Sequence, residues 1–185
     1  MAVVARRQLK VEETDKAAAF DRLFLAEYPR VVSIAYRVLG DAHQAEDVAQ
    51  DVFCSLYRQH PPDAPYAPTW LYRAAAHTAL NVVRGARRRR QREQHEAADQ
   101  ERLRDGSQQS LDPERALMQG EQRREVQAAL SRLPEKSAAV LVLRHSGLSY
   151  AEVGAALGIG ANQVGTLLRR AEEMLRKEMS HATPQ

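Results

Sequence analysis

The sequence predicts an all-α protein built from two small helical domains joined by a flexible linker. Aromatic residues make up only 5% of the chain, and its abundant Ala, Leu, Arg, Glu and Gln favour helices over strands. Apolar residues recur at spacings of three and four, which is typical of amphipathic helices. A polar stretch with almost no large apolar groups separates two such regions. We therefore expect a tail at 1–15, a domain at 16–92, a linker at 93–112, a domain at 113–179 and a tail at 180–185.

Four helices are predicted in the first domain. Proline disfavours helix in the residue before it and suits a helix start, so Pro29 is expected to divide one helix over 16–27 from another over 29–39. Gly40 ends the second helix, and a third, capped by Asp41, runs to about residue 59. The apolar residues expected to face the core of the second and third helices are Val31, Ile34, Ala35, Val38, Ala45, Val48, Ala49, Val52, Phe53 and Leu56.

The fourth helix follows a proline-rich loop and covers about residues 69–90. Its polar groups fall on one side at helical spacing, whereas Leu71, Ala75, Leu80 and Val82 are expected to pack against apolar neighbours. Trp70 is expected in the core, with stacking on nucleic acid as the alternative role.

The second domain is predicted to hold four more helices. Asp112 and Pro113 cap and start the first, which extends to about Arg132. Pro134 opens the next, and Gly147 ends it. The last two helices form a motif of their own.

A helix-turn-helix is predicted at residues 149–171. Ser149 and Glu152 have the S-x-x-E spacing of a capping box at a helix start. A turn with the sequence Gly-Ile-Gly over 158–160 follows, and a second helix begins near Ala161. Two short helices joined by such a turn can place the second in the DNA major groove. An ordinary helical hairpin is the alternative.

Charge is unevenly distributed along the chain. Although 27 Lys and Arg against 24 Asp and Glu give a net charge of only +3, residues 38–57 hold four acids and no Lys or Arg. Residues 84–92 hold six arginines. Such separation suggests one face for a polyanion and another for a different partner. A solvated helix end is the alternative interpretation of the arginine cluster.

Several other classes of protein are disfavoured. The mean hydropathy is −0.53, no apolar stretch approaches the ~18 residues that cross a bilayer, and the N-terminus lacks the features of a signal peptide. The single cysteine, Cys54, fits a reducing cytoplasm and is expected to be a buried structural thiol. His43 and Glu46 share a helical turn, but no second cluster completes a zinc site. We expect a cytoplasmic protein with no membrane insertion, catalytic site, metal or cofactor.

The motifs AEDVAQDVF, PTWLYR, RGARRRR and SYAEVGAALGIGANQVGTLLRRA occur in this order. In this combination the chain resembles the extracytoplasmic-function group of sigma-70 family RNA polymerase sigma factors, which keep only sigma domains 2 and 4. The resemblance covers about residues 18–92 and 113–178. It implies a protein that binds bacterial core RNA polymerase and directs transcription initiation at specific promoters.

The resemblance also implies three sets of binding residues. The set implied to bind core polymerase is Glu46, Asp47, Gln50 and Asp51. The set implied to bind the −10 promoter DNA is Arg73, His77, Thr78, Asn81, Arg84, Arg87 and Arg88. The set implied to bind the −35 DNA is Asn162, Gln163, Thr166, Arg169 and Arg170.

The chain departs from the family in the second helix of its helix-turn-helix. Many relatives have a basic residue, Ser and Arg at the positions of Gly165, Thr166 and Leu167, so two positive charges are missing. The resemblance implies an anti-sigma factor as a further partner. Two alternatives stay open, namely a sigma mimic that titrates an anti-sigma factor and a stand-alone helix-turn-helix regulator.

Overall fold

The computed structural model describes the backbone of residues 2–97 and 113–180, and the side chains of residues 13–93 and 120–180. The described chain is helical, which confirms the predicted all-α class. Its helices are α1 (Ala2–Leu39), α2 (Ala42–Gln59), α3 (Ala67–Ala97), α4 (Pro113–Arg132), α5 (Glu135–His145), α6 (Tyr150–Leu157) and α7 (Ala161–Ser180).

The N-terminal bundle, α1 to α3, has one helix fewer than predicted. The expected break at Pro29 was wrong, because α1 continues through Pro29. Helix α1 begins at Ala2, within the residues expected to form a tail. Packing before and after the proline explains the continuity, because Val31 and Ile34, which follow it, are fully buried and two aromatic residues that precede it contact Phe53. The ring centroids of Phe24 and Tyr28 lie 4.9 and 6.1 Å from that of Phe53 on α2. Such aromatic contacts offset the hydrogen bond that proline removes from the helix.

Helix α2 begins and ends as the sequence predicts. The Asp41 carboxylate accepts a hydrogen bond from the Gln44 backbone N–H at 2.9 Å, which satisfies one of the orphan donors at the helix start. All ten residues predicted to face the core of α1 and α2 are buried. Cys54 is exposed, so the expectation of a buried thiol was wrong. It follows Phe53 along the helix and therefore lies outside the buried stripe.

Helix α3 is longer than predicted at both ends. Leu71, Ala75 and Leu80 are buried as expected, but Val82 is 37% exposed and its neighbour Val83 fills the buried position instead. Trp70 is half-buried and packs against the core. The residues 93–97 assigned to a linker belong to α3, and 98–112, with most of the predicted linker and Asp112, lie outside the described residues.

The C-terminal bundle, α4 to α7, agrees closely with expectation. Helix α4 starts at Pro113 and α5 follows Pro134. Helix α5 ends at His145, and Gly147 then adopts a φ of +88°, which glycine reaches without strain.

The two bundles pack directly against each other. Helix α3 contacts α4, α5 and α6, and α1 contacts α5. Buried apolar residues of both bundles form one contiguous cluster that includes Leu80 of α3 and Leu133 after α4. This packing determines how much of α3 is accessible to a partner.

Candidate nucleic-acid interface

An acidic face lies on the outside of α2. Its four members are exposed and are Glu46, Asp47, Gln50 and Asp51. They share one side because positions four residues apart lie above one another on a helix. None of them forms an ion pair with any residue whose side chain is described. The face therefore offers carboxylates for charge-assisted hydrogen bonds to a basic partner.

A polar stripe runs along α3, from the middle of the helix into the arginine cluster. We call it the α3 stripe, and it consists of Arg73, His77, Thr78, Asn81, Arg84, Arg87 and Arg88. Arg73, Asn81 and Arg88 are exposed. The other four members are half-buried.

Contacts with the C-terminal bundle account for part of this burial. The His77 Nδ1 atom lies 2.5 Å from the Glu135 carboxylate at the start of α5. The Arg84 guanidinium donates a hydrogen bond to the Leu133 carbonyl at 3.1 Å, and the Arg87 guanidinium donates one to the Ser131 hydroxyl at 3.5 Å. Three members of the predicted −10 set therefore contact the C-terminal bundle.

A second polar cluster joins the bundles near the start of α3, and no pattern in the sequence predicts it. The Arg30 guanidinium lies 2.9 Å from the Glu152 carboxylate of α6 and donates a hydrogen bond to the Tyr72 hydroxyl at 3.2 Å. That hydroxyl donates to the Glu27 carboxylate at 2.5 Å. Burial and the Glu27 carboxylate raise the pKa of Tyr72 to about 12, while Arg30 opposes them.

The helix-turn-helix has the predicted geometry. The Ser149 hydroxyl accepts from the Glu152 backbone N–H at 3.2 Å, and the Glu152 carboxylate accepts from the Ser149 backbone N–H at 2.7 Å. These Ser149 hydrogen bonds, and then Arg30, hold the pKa of Glu152 below its usual value. Gly158 ends α6 with a φ of +64°, a left-handed conformation that favours glycine.

Gly154 is a second glycine that the helix-turn-helix requires, and the sequence analysis missed it. A Cβ atom at this position would lie 2.8 Å from the Ile159 carbonyl oxygen and 3.3 Å from the Ala161 nitrogen. The turn can therefore approach α6 only where α6 has no side chain. A glycine inside an otherwise apolar helix was the available signal.

Helix α7 presents the predicted reading face to solvent. All five predicted −35 residues are exposed and are Asn162, Gln163, Thr166, Arg169 and Arg170. The opposite face packs into the bundle through Val164 and Leu168. The Arg169 guanidinium is already paired, because the Glu173 carboxylate lies 2.7 Å from it.

Gly165 leaves a gap on this face that an aromatic ring borders. The Tyr150 Cε2 atom would lie 3.4 Å from a Cβ at Gly165. Tyr150 is 43% exposed, and the Arg144 guanidinium lies 5.5 Å from its ring centroid. Tyr150 and Arg144 thus add a hydroxyl and a cation beside the reading helix, and the sequence analysis did not single out either.

No group of three or more His, Cys, Asp or Glu side chains within 13–93 and 120–180 has the arrangement of a metal site. Within those parts of the chain, no helix combines the length and the apolar character needed to cross a bilayer.

Known proteins match both bundles. Residues 23–90 match the family Sigma-70 region 2, and residues 123–175 match Sigma-70, region 4. The ECF RNA polymerase sigma factor SigE of Mycolicibacterium smegmatis is 34% identical over 88% of this chain, which spans 63% of that protein's length. The ECF RNA polymerase sigma factor SigW of Bacillus subtilis is 30% identical, with 96% of this chain and 97% of that protein aligned.

One solved structure also aligns with most of the chain. The sigma factor RpoE of Bartonella quintana, crystallised with the anti-sigma factor NepR, aligns with 87% of this chain and 96% of its own, at a TM-score of 0.47 and 19% identity. With region 2 matched on the N-terminal bundle and region 4 on the C-terminal bundle, and with an aligned ECF relative of almost equal length, the chain belongs to the extracytoplasmic-function group of the sigma-70 family.

Proposed function

We propose that this protein is a promoter-specificity subunit of bacterial RNA polymerase and acts in the cytoplasm without catalytic activity of its own. The observation that carries the proposal is the presence, on one chain of this family, of an unpaired acidic face, a cationic stripe and an exposed helix-turn-helix reader. Each surface has a charge and geometry that suit a different partner. Core polymerase and two segments of promoter DNA account for all three.

The acidic face of α2 is the proposed polymerase contact. Its carboxylates are exposed and have no ion-pair partner among the described side chains, so a basic polymerase surface can bind them without first breaking a contact. Asp47→Arg should abolish co-elution with core polymerase while leaving the circular dichroism spectrum unchanged. Asp63→Arg makes the same charge change at another exposed acid of the N-terminal bundle and should co-elute normally. Equal co-elution of the two variants would remove α2 from the contact.

The α3 stripe is the proposed −10 contact. Arg73 and Arg88 can hold phosphates, and His77, Thr78 and Asn81 can hydrogen-bond to a base turned out of the stack. Extruding a base costs a few kcal/mol, which edge contacts and stacking must recover. Asn81→Ala should therefore slow promoter melting with little effect on binding to core polymerase, measured by permanganate reactivity of the −10 thymines.

Helix α7 is the proposed −35 contact. Its reading face is exposed to solvent and its opposite face packs into the bundle, as in a helix that binds in the DNA major groove. Replacing Arg169 and Arg170 together with Ala should weaken binding to upstream duplex and flatten the dependence of affinity on salt. Arg176→Ala alters an exposed arginine two turns away and serves as the control.

Transcription in vitro tests the proposal as a whole. Core polymerase with a library of promoters from the source genome should initiate at new sites when the protein is added, and the Asp47→Arg variant should not support them. If no promoter gains initiation, the proposed function is wrong.

A sigma mimic that sequesters an anti-sigma factor is the second candidate. It is favoured by Gly165 and Leu167, which leave the reading face with fewer cations than in relatives, and by the pairing of Arg169 with Glu173. An anti-sigma factor that covers both bundles would bind equally well in either case. Promoter-dependent crosslinking of α3 separates the candidates, because only a promoter-specificity subunit requires α3 to contact DNA.

A further inference from the structure

Gly165 lies at the edge of the reading face of α7, on the side next to α6. Positions 162 and 169 are three before and four after it, so they lie beside it on the helix surface, and Asn162 and Arg169 are both exposed. Gly165 itself is half-buried and has no side chain to fill the space between these two residues and α6. The surface therefore has a notch that is one side chain deep.

The ring of Tyr150, the first residue of α6, forms the far wall of this notch. Its Cε2 atom lies 3.4 Å, and its hydroxyl oxygen 3.9 Å, from the position that a Cβ at Gly165 would take. Apart from the adjoining residues of α7, no other atom of the described chain comes within 4 Å of that position. Since Tyr150 is 43% exposed, the notch is open to a group that approaches from solvent.

Arg144 and the capping box hold this wall in place. The Arg144 guanidinium lies 5.5 Å from the Tyr150 ring centroid and donates a hydrogen bond to the Leu148 carbonyl at 3.1 Å. The capping box fixes the backbone of Ser149, directly before Tyr150. A wall that is already fixed loses little conformational freedom when a ligand binds against it.

The chemistry of the notch suits a small apolar group. Glycine contributes no side-chain donor or acceptor, the backbone donors inside a helix are already hydrogen-bonded within it, and the edge of a tyrosine ring is hydrocarbon. In the major groove, thymine alone presents a methyl group, at C5. A thymine methyl can therefore fill the notch, whereas cytosine or uracil in the same place would leave it empty.

We propose that Gly165 and Tyr150 bind the C5 methyl of one thymine in the −35 DNA, so that Gly165 determines specificity through the side chain it lacks. This inference rests on the proposed function for the identity of the duplex. Burial of one methyl group changes a binding constant about fourfold. The chain should therefore prefer thymine to uracil about fourfold at one position, and this preference should depend on Tyr150.

Replacement of thymine by uracil tests the notch directly, because uracil lacks only the C5 methyl. Duplexes selected from a random library by the full chain, alone and in complex with core polymerase, provide the probe. Each thymine of the selected site is replaced in turn, and fluorescence anisotropy measures the affinity. One position should lose about fourfold, and 5-methylcytosine there should bind more tightly than cytosine by a similar factor. If no replacement weakens binding in either setting, the inference is wrong.

Four variants show whether the methyl effect belongs to this notch, with circular dichroism as the check that each is folded. Gly165→Gln fills the notch with a neutral polar side chain and Tyr150→Ala removes its wall, so each should abolish the preference for thymine over uracil. Tyr150→Phe keeps the ring and should retain the preference, whatever the loss of the hydroxyl does to overall affinity. Gly120→Gln makes the same substitution at an open position of α4 and should retain it as well. A preference that survives either Gly165→Gln or Tyr150→Ala would overturn the inference.

These outcomes separate the notch from the proposed function. If initiation in vitro fails while a selected duplex shows a Tyr150-dependent preference for thymine, the proposed function is wrong and the notch holds. If initiation succeeds while uracil at every thymine of the −35 DNA leaves binding unchanged, the notch is wrong and the proposed function holds.

Discussion

The carboxylate of Glu173 lies 2.7 Å from the guanidinium of Arg169, one turn earlier on α7. Both side chains are largely exposed, so the pair contributes little to stability. It does neutralise one of the two predicted phosphate contacts on the reading helix. Arg169 belongs to the −35 set that the family resemblance implies, and its charge is shared with a neighbour.

Removing that neighbour should strengthen binding to duplex DNA. Glu173→Gln frees the Arg169 guanidinium for a phosphate, so affinity should rise and the slope of log affinity against log salt should steepen by about 1. Fluorescence anisotropy of a labelled duplex at several salt concentrations measures both. Glu172→Gln makes the same change at the adjacent exposed acid. Should both variants steepen the slope equally, the effect would reflect net charge rather than release of Arg169.

Two glycines of the helix-turn-helix should respond in opposite directions to alanine. Gly154→Ala puts a Cβ 2.8 Å from the Ile159 carbonyl oxygen, and this overpacking should lower the free energy of unfolding by about 1–3 kcal/mol. At Gly165 the nearest atom is Tyr150 Cε2 at 3.4 Å. Gly165→Ala should therefore raise the free energy of unfolding by up to about 1 kcal/mol, because alanine has a higher helix propensity than glycine.

Urea denaturation of both variants measures the two changes. Gly120→Ala provides the control, because it lies inside α4 with nothing within 4 Å of its added Cβ and should stabilise about as much as Gly165→Ala. A Gly154→Ala variant as stable as the parent would mean that the turn does not need to approach α6 as closely as it does in the structure.

Local signals in the sequence were enough to predict most helices of this fold. The capping box at Ser149 and Glu152 depends on residues three apart, and the apolar stripe of α2 depends on a repeat within one helix. The prediction of a helix break at Pro29 was wrong because the neighbouring Tyr28 packs against Phe53, which is distant in sequence. This packing outweighs the local preference of proline for a helix start. Contacts between residues distant in the chain produce no periodic pattern in the sequence.

The candidate site was predictable in its membership but not in its accessibility. The members of the α3 stripe are the residues that the family resemblance implies for −10 DNA. That His77 faces Glu135 follows from the docking of the two bundles, since these two residues lie 58 positions apart in the chain. Gly154 could have been found from its place inside an apolar helix, whereas Arg30 could not, because its partners Tyr72 and Glu152 come from two other helices.

Gln127 should contribute to stability across the bundle interface. Its amide donates to two carbonyls at the end of α1, and Gln127→Ala leaves both without that donor. The expected loss is about 1–2 kcal/mol in the free energy of unfolding, measured by urea denaturation. Gln122→Ala, at an exposed position of α4, should change little. An unaltered midpoint for Gln127→Ala would mean that water replaces the amide at no cost.

Ionisation of Tyr72 should lower the stability of this protein at alkaline pH. Its ring is buried, and its hydroxyl donates to Glu27 and accepts from Arg30. Because the pKa of Tyr72 is raised to about 12, above its ordinary value of about 10, the folded state prefers the protonated hydroxyl. The stabilisation is then complete below about pH 10 and is lost as the pH rises toward 12.

Tyr72→Phe removes this hydroxyl and leaves Glu27 and Arg30 beside an apolar ring. At pH 8 the variant should be less stable than the parent by about 1–3 kcal/mol, since hydrogen bonds to charged groups contribute that much. The difference should shrink between pH 10 and 12, because only the parent has the Tyr72 proton to lose. Urea denaturation at pH 8, 10 and 11.5 measures it. Tyr66→Phe, at an exposed tyrosine, should follow the parent throughout, and a Tyr72→Phe deficit that stays constant with pH would show that packing rather than the protonated hydroxyl accounts for the loss.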